Sequence, residues 1–328
     1  MSNSNKNINM IKHKPRTGTG TRTRTKKRNY NPHALSIKSE IIFNILMALF
    51  SLACILPFIF TVIISFTDDN TLINNGYSFF PKKLSLEGYA FIFKTGSLLL
   101  NSYMVSIYLT IIGTLLSLAL TTTYAYVLFR KNFKFRCFFN VVAVFTMLFS
   151  SGLVPFYVVI TQFLNLSDNL WAIILPGCLN AFNIIVFRTF LSTTVHESII
   201  ESAIVDGCGE FGTYIKIAMP LCLPGIATIG LFSCIGYWNE WFNALLFIND
   251  PNKIPIQYLL YKVQNILDFL VRYSGTLNAA EMEQALNSIP RESSRMVMSV
   301  LIVLPIACAY PFFQKYFVKG LTVGSIKG

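Results

Sequence analysis

Charged side chains are scarce in this sequence of 328 residues. Asp, Glu, Lys and Arg make up 13% of the chain and hydrophobic residues 53%, whereas ordinary soluble proteins have about 25% charged residues. This composition excludes an ordinary soluble domain. The apolar residues fall in blocks long enough to cross a bilayer, which takes about 20 residues per helix. We therefore predict an all-α integral membrane protein.

The sequence also lacks the motifs of catalysis and nucleotide binding. It contains no GxxxxGK[ST] phosphate loop, no GxSxG and no HExxH, so this chain is not expected to bind or hydrolyse ATP. Its three histidines, His13, His33 and His196, lie in the amino-terminal arm and in one loop. An enzyme embedded in the membrane would need clustered His, Asp or Ser near one face. We predict that the chain is not an enzyme and has no cofactor.

Cysteines occur singly and form no CxxC pair or Cys/His cluster. This spacing indicates neither a metal site nor a disulfide framework. Most of them fall within apolar blocks, where cysteine acts as a small hydrophobic residue in helix packing. The seven cysteines are Cys54, Cys137, Cys178, Cys208, Cys222, Cys234 and Cys308.

Basic residues are concentrated before the first apolar block. Ten Lys and Arg lie between Lys6 and Lys38, with no acidic residue among them. Residues 1–38 have too little apolar surface to fold, so they are predicted to form a basic, disordered cytoplasmic arm. A basic tail beside a membrane helix is typical of a topology signal and of contact with lipid headgroups. No nucleic-acid partner is predicted.

Six apolar blocks are long enough to cross a membrane, within a predicted transmembrane domain of residues 39–318. They cover residues 41–66, 99–129, 137–161, 171–191, 224–248 and 294–317. Basic residues are retained on the cytoplasmic side. With the amino terminus inside, the inner segments hold 19 of the 27 Lys and Arg, so both termini are predicted to be cytoplasmic. In the second block, Gly113 and Ser117 predict the close approach of another helix.

The polar segment between the fourth and fifth blocks has the pattern of two short helices. In the first helix the apolar positions are Ile199, Ile200, Ala203 and Ile204, and the acidic ones are Glu197 and Glu201. Gly207 and Gly209 are predicted to end this helix, since glycine accepts the left-handed conformation. A second helix is predicted from Glu210 to Ala218, and Pro220 prepares the entry into the fifth block.

The spacing within this segment resembles a pattern in the permeases of binding-protein-dependent ABC importers. The pattern is Glu-Ala-Ala, three residues, Gly, nine residues, Ile, one residue and Leu-Pro, and this chain keeps every spacing. The matching residues are Glu201, Ser202, Ala203, Gly207, Ile217, Met219 and Pro220. Ser for Ala and Met for Leu are the departures, and both are small changes in volume.

This resemblance implies a type I ABC importer permease with six transmembrane helices in a bacterial cell membrane. It implies that a coupling loop, residues 196–223, lies in a cleft of a separate cytoplasmic ATPase dimer. The residues carried over to this contact are Glu201, Ser202, Ala203, Asp206, Gly207, Ile217 and Pro220. A second homologous permease subunit and an extracytoplasmic solute-binding protein are further implied partners. The alternative to the ATPase contact, which amphipathicity alone would favour, is a helix that rests in the headgroup region of the membrane.

The carboxyl terminus resembles the carbohydrate-uptake permeases, in particular a branch that handles oligosaccharides and complex glycans. The resemblance covers residues 310–328, and Asp206 with the Pro224-Gly225 step adds to it. It implies that the cytoplasmic tail, residues 319–328, contacts the ATPase pair. The residues suited to this contact are Lys319, Gly320 and Lys327. A positively charged anchor that only fixes topology is the alternative.

The outer part of the fifth block carries side chains of the types that bind sugars. Aromatic faces pack on C–H surfaces, while amides and carboxylates bind hydroxyl groups. The candidates for the substrate path are Asn101, Tyr237, Trp238, Asn239, Glu240 and Asn243. An aromatic belt at the membrane interface is the alternative interpretation.

The predicted function is the import of a sugar, an oligosaccharide or complex glycan, by alternating access driven by a separate ATPase. The alternatives are an ABC importer permease for a peptide or phosphonate, and an ion-coupled secondary transporter. The latter would need several intramembrane carboxylates and internal repeats, and only Glu240 is such a carboxylate. In the outer loop, residues 249–293, the apolar spacing predicts a surface helix that receives the binding protein or covers the partner permease.

Overall fold

The computed structural model describes residues 37–94, 96–273 and 290–325, and these are mostly helical. In chain order the helices are α1 (Ile37–Ser65), α2 (Asp69–Asn75), α3 (Glu87–Lys94), α4 (Gly96–Phe129), α5 (Arg136–Leu148), α6 (Leu153–Phe163), α7 (Trp171–Gly177), α8 (Ala181–Thr194), α9 (Glu197–Val205), α10 (Glu210–Leu221), α11 (Leu223–Trp238), α12 (Phe242–Phe247), α13 (Ile256–Tyr273) and α14 (Arg291–Ser325). A short 3₁₀ turn, Pro251–Lys253, precedes α13. Thr67 and Leu84 form an isolated antiparallel bridge.

The chain divides into two compact units, Met1–Cys54 and Ile55–Gly328. The described part of the first unit is the beginning of α1, a continuous apolar helix whose side chains are exposed. The second unit holds the remaining helices and the packed core. The predicted arm, residues 1–38, lies outside the described residues except for its last two positions.

Three helices are long and apolar enough to cross a membrane in one piece, namely α1, α4 and the Arg291–Pro311 part of α14. Three further candidates are bent pairs, so the described chain has three to six candidate spans. The pair α5 and α6 is bent by 116°, α7 and α8 by 44°, and α10 and α11 by 83°. The prediction of an all-helical membrane protein is confirmed.

The predicted third, fourth and fifth spans are each interrupted. The third bends after Leu148, and Gly152 adopts a positive φ of 78° at the start of the next helix. The fourth is broken between Gly177 and Ala181, directly after Pro176. The fifth was predicted to continue to residue 248, which is wrong, because α11 ends at Trp238.

Polar side chains explain why the fifth span ends early. Asn239 is the residue that caps α11, and its side-chain amide donates to the Ile235 carbonyl at 2.9 Å. The Glu240 carboxylate accepts from the Asn243 backbone N–H at 2.9 Å. This contact satisfies a donor at the beginning of α12, which would otherwise lack a partner.

α4 is the central helix of the second unit and packs against α11 and α8. A Cβ atom at Gly113 would lie 2.5 Å from Cζ of Tyr237, so glycine leaves room for this ring. One turn further on, the hydroxyl oxygens of Ser117 and Ser233 are 3.0 Å apart. The prediction that Gly113 and Ser117 permit close helix approach is confirmed, and the approaching helix is α11.

A buried carboxylate joins α2 to the beginning of α14. Asp69, at the beginning of α2, accepts hydrogen bonds from the backbone N–H groups of Arg291, Glu292 and Ser293 at 2.8–3.0 Å. These groups begin α14, whose N-terminal dipole favours a negative charge. Residues 249–293 contain the predicted helix as α13, which buries Ile256 in the core; its place on the outer side stays a prediction.

Candidate functional site

The polar segment between α8 and α11 forms two short helices, as predicted. In α9 the apolar side chains of Ile200 and Ala203 are buried, whereas Glu201 and Ser202 are exposed. The last residue of the helix, Val205, is 86% exposed. An amphipathic helix therefore packs one side on the protein and presents the other outward.

Gly207 ends α9 in a Schellman motif. Its φ is +83°, in the left-handed region that glycine adopts without strain. The Gly207 N–H donates to Ile204 at 3.0 Å, and the Cys208 N–H donates to Ala203 at 2.9 Å, so the last carbonyls of α9 are satisfied. Apart from Gly207 and its two chain neighbours, no atom of the described residues lies within 4 Å of where a Cβ at Gly207 would stand. The predicted turn at Gly207 is confirmed. The same prediction for Gly209 is wrong, because Gly209 has an extended backbone with φ −67° and begins the next helix.

α10 continues from this turn and contains a wide π-helical turn, Tyr214–Ala218. The ring of Pro220 follows it and has no N–H to donate to the carbonyl four residues earlier, which favours a change of helical pitch there. Asp206 and Pro220 are exposed, and Ile217 is half-buried. Phe211, near the beginning of α10, is 74% exposed.

An ion pair joins α10 to the end of α4. The Arg130 guanidinium donates from Nη2 to Oε1 of Glu210 at 2.7 Å and from Nε to Oε2 at 3.2 Å. The Arg130 side chain is 7% exposed and that of Glu210 is 58% exposed. Burial alone lowers the pKa of Arg130, but the hydrogen bonds and charge of Glu210 outweigh it and raise the pKa. The hydroxyl of Tyr126 donates to the same carboxylate at 3.2 Å.

Two further contacts tie the segment to α4 and its end. Lys131 forms an ion pair with Glu197 of α9 at 2.5 Å. The hydroxyl oxygens of Tyr214 and Thr122 are 2.8 Å apart. The segment is thus held at both of its helices by the carboxyl end of one long apolar helix.

Sequence reasoning identified the motif of this segment but missed Arg130 and Glu210 as partners. The available signal was a basic residue directly after a predicted span, facing a loop rich in acidic residues. Arg130 and Lys131 entered the prediction only as topology charges.

The structure describes two of the three predicted tail residues. Lys319 and Gly320 lie on the backbone of α14, which runs to Ser325. Lys327 lies outside the described residues.

The predicted substrate-path residues have structural partners. The Tyr237 hydroxyl donates to the Ile174 carbonyl at 2.8 Å, and Trp238 Nε1 donates to Ile302 at 3.2 Å. Both side chains are buried, so each has a packing role in the structure; their contact with a solute stays a prediction. Asn101 donates to the Asn252 carbonyl at 2.5 Å.

Three others lie around the end of α11. Asn239 accepts from the Gln257 side chain at 2.9 Å, and Glu240 and Asn243 make the capping contact at the beginning of α12. Of the six predicted residues, Tyr237 and Glu240 line a polar cleft between the α7–α8 break and α11. The cleft has a volume of about 190 Å³. Among the described residues no group of three or more His, Cys, Asp or Glu could hold a metal ion.

The chain matches one protein-family model, the binding-protein-dependent transport system inner membrane component, over residues 117–323. It is 38% identical over 283 residues to the polygalacturonan/rhamnogalacturonan transport system permease protein YtcP of Bacillus subtilis, covering 86% of this chain and 96% of that protein. It is 26% identical over 287 residues to the arabinooligosaccharides transport system permease protein AraQ of Halalkalibacterium halodurans, covering 86% and 94%.

A solved structure has a similar fold. It is the crystal structure of a bacterial ABC transporter involved in the import of the acidic polysaccharide alginate. The matched chain is 28% identical, with a TM-score of 0.72, and the match covers 87% of this chain and 99% of that one.

Proposed function

The chain belongs to the family of binding-protein-dependent transport system inner membrane components, and we propose that it carries an oligosaccharide or polysaccharide into a bacterial cell. It is the permease subunit of an ABC importer and not the ATPase. The relatives named for arabinooligosaccharides and polygalacturonan support a sugar substrate. The solved transporter named for alginate supports the same class.

The observation that carries the mechanism is the surface formed by α9, Gly207 and α10. Its exposed residues include the acidic Glu201 and the apolar Val205 and Phe211. Exposed apolar residues grouped beside an open turn mark an interaction site. We infer that this surface lies in a cleft of the separate ATPase and that the exposed motif residues Glu201, Ser202, Asp206, Gly207 and Pro220 make the contact. Ala203 is buried and Ile217 is half-buried, so these two motif residues pack the segment onto the protein instead.

The contacts to α4 supply the mechanical link. A docked segment that moves with the ATPase would pull on Arg130 and Lys131 at the end of α4. Because α4 packs along α11 and α8, its displacement would reorient the central helices. Alternating access is therefore driven from one end of α4.

The orientation follows from this proposal together with the distribution of charge. The surface must face the cytoplasm to meet an ATPase, and the 19 of 27 Lys and Arg assigned to inner segments support that side. Both termini are then cytoplasmic, and α2, α3 and α13 lie outside. A second permease subunit and an external solute-binding protein complete the transporter, and the Lys319 to Lys327 tail adds a contact to the ATPase pair.

Uptake by whole cells tests this function. A strain lacking this chain should lose the ATP-dependent uptake of labelled arabino-oligosaccharide or oligogalacturonate, and the intact chain should restore it. Equal uptake of both sugars with and without the chain would overturn the proposed substrate class.

A further inference from the structure

The break between α7 and α8 places non-helical backbone and polar side chains inside a candidate span. Residues 178–180 are not helical, and the two helices differ in direction by 44°. Irregular backbone at membrane depth is tolerated only where it is buried in protein or lines a water-filled cavity. In transporters, such discontinuous helices form substrate sites. We therefore expect the cleft at this break to bind a ligand.

The lining of the cleft combines amides, a carboxylate and aromatic rings. Its main members are Asn180, Asn183, Phe232, Ser233, Tyr237 and Glu240. Gly177 contributes no side chain, and a Cβ there would lie 3.0 Å from the Tyr237 hydroxyl oxygen. Glycine at position 177 thus lets the Tyr237 ring pack directly against the break.

Asn183 is the residue that a structural role does not explain. The residue is 8% exposed, yet its side-chain amide makes no hydrogen bond to any other residue that the structure describes. An amide that has no partner in the protein and borders an open cleft keeps its donors and acceptor available. The atoms of Asn183 line the cleft, so a ligand there would supply the missing partner.

The neighbouring polar groups retain free bonding capacity. Asn180 uses its carbonyl oxygen to accept from the backbone N–H groups of Phe182 and Asn183 at 2.9 and 3.3 Å, which leaves its NH₂ group as a donor. Glu240 uses Oε1 to accept from Asn243, and Oε2 makes no hydrogen bond among the described residues. Donors and acceptors therefore converge on one space.

We propose that this cleft holds one neutral sugar unit of the transported chain, so that this subunit itself contacts the solute. Asn180, Asn183 and Glu240 bind hydroxyl groups, and the exposed ring of Phe232 packs on a C–H face of the sugar. Among the described residues that line the cleft, Glu240 is the only one with a charged side chain, so a uronate carboxylate there would be repelled. The proposal rests on the proposed sugar-import function.

The test uses the complete transporter, with its ATPase and binding protein, reconstituted in vesicles. Asn183→Leu should raise the KM for a neutral arabino-oligosaccharide or lower its uptake rate by about tenfold. The melting temperature should change little, because the Asn183 amide has no partner among the described residues to lose. ATP hydrolysis stimulated by the loaded binding protein should persist, since the surface around Gly207 is unchanged. A merely structural Asn183 would instead give a lower melting temperature with unchanged KM.

Thr189→Ala is the control on the same helix, because Thr189 is exposed and its hydroxyl donates to the Ile185 carbonyl at 2.9 Å. It should leave uptake unchanged. Glu240→Gln should increase the ratio of oligogalacturonate to arabino-oligosaccharide uptake. Wild-type uptake of neither sugar would contradict the sugar-import function. Two results would overturn the neutral-sugar cleft. One is that Asn183→Leu takes up the sugar as well as the wild type does, and the other is that the wild type takes up oligogalacturonate alone.

Discussion

Arg130, directly after α4, holds both carboxylate oxygens of Glu210, which begins α10. The two residues are 80 positions apart in the chain. The Arg130 side chain is buried and the Glu210 side chain is half-exposed. The ion pair therefore links the exposed surface around Gly207 to the packed end of α4. It gives the segment around Gly207 a rigid attachment to the central helix.

Removing Glu210 and removing Arg130 should lower the free energy of unfolding by different amounts. Glu210→Gln leaves the Arg130 charge buried without its ion partner. Breaking a fully buried pair costs about 3–5 kcal/mol, and the exposure of Glu210 reduces our expectation to about 1–3 kcal/mol. Arg130→Gln leaves a solvated carboxylate and should cost less. Thermal unfolding in detergent measures both.

Lys131→Gln is the control for this pair. Lys131 is 68% exposed, so its loss should cost about 0–1 kcal/mol. If Lys131→Gln destabilises the protein as much as Glu210→Gln, burial of Arg130 does not determine the strength of the attachment.

Substitutions at Gly207 should separate backbone strain from docking. Gly207→Ala places a Cβ at a positive φ, which costs about 1–2 kcal/mol, while Gly207→Asn tolerates that conformation better. The Cβ that both variants add meets no atom of the described residues within 4 Å, apart from the two neighbours of Gly207 in the chain. We expect both variants to insert and fold, and both to lose ATP-coupled uptake, because the added atoms project into the ATPase contact.

Uptake and melting temperature, measured on the same preparations, check this expectation. Normal uptake by Gly207→Asn would show that the open side of the turn is not a docking surface.

Gly113→Ala should destabilise the helix packing around α4. The new Cβ would lie 2.5 Å from the Tyr237 ring, and overpacking of this kind costs about 1–3 kcal/mol. Gly230→Ala is the comparison, because its Cβ would meet Leu118 at an ordinary 3.4 Å. The melting temperature should fall for Gly113→Ala and stay or rise for Gly230→Ala. Equal falls would contradict the close contact between α4 and α11.

Asp68 should make stability depend on acid pH. The hydrogen bond from Lys83, at 3.0 Å, holds the pKa of this carboxyl below its usual value, and bonds from Thr71 add to the effect, whereas burial opposes it. A lowered pKa means that the folded state binds fewer protons, so this stabilisation is present at neutral pH. It should be lost as the pH falls below 3.8, the usual value.

Asp68→Asn isolates this effect, since Asn can still cap α2 but does not titrate. The difference in melting temperature between wild type and Asp68→Asn should shrink from pH 7 to pH 3. A constant difference across that range would exclude a role for the Asp68 charge.

The sequence predicted the local features of the coupling segment well. The apolar spacing of α9 and the glycine at 207 depend on nearby residues, and both the helix and its Schellman turn are confirmed. The close approach at Gly113 was likewise readable from residue size. The contact of this segment with an ATPase stays a prediction.

Long-range partners and breaks in helices could not be read in the same way. Nothing near Arg130 in the chain indicates Glu210 as its partner. Hydropathy counts apolar residues across residues 171–191 but does not show that the backbone leaves the helix at residues 178–180. Tyr237 and Trp238 have residue types that suit sugars, but aromatic residues also pack well in a protein core. The sequence could not distinguish the two roles, and the structure buries both side chains.

Photo-crosslinking from position 205 in the assembled transporter tests the central claim most directly. Val205 is 86% exposed and lies two residues before Gly207, and Phe80, in the connection between α2 and α3, is 88% exposed. A photoreactive residue replacing Val205 should form a covalent adduct with the ATPase subunit, and one replacing Phe80 should not. Absence of the Val205 adduct in a transport-competent complex, or equal adducts from both positions, would contradict the account.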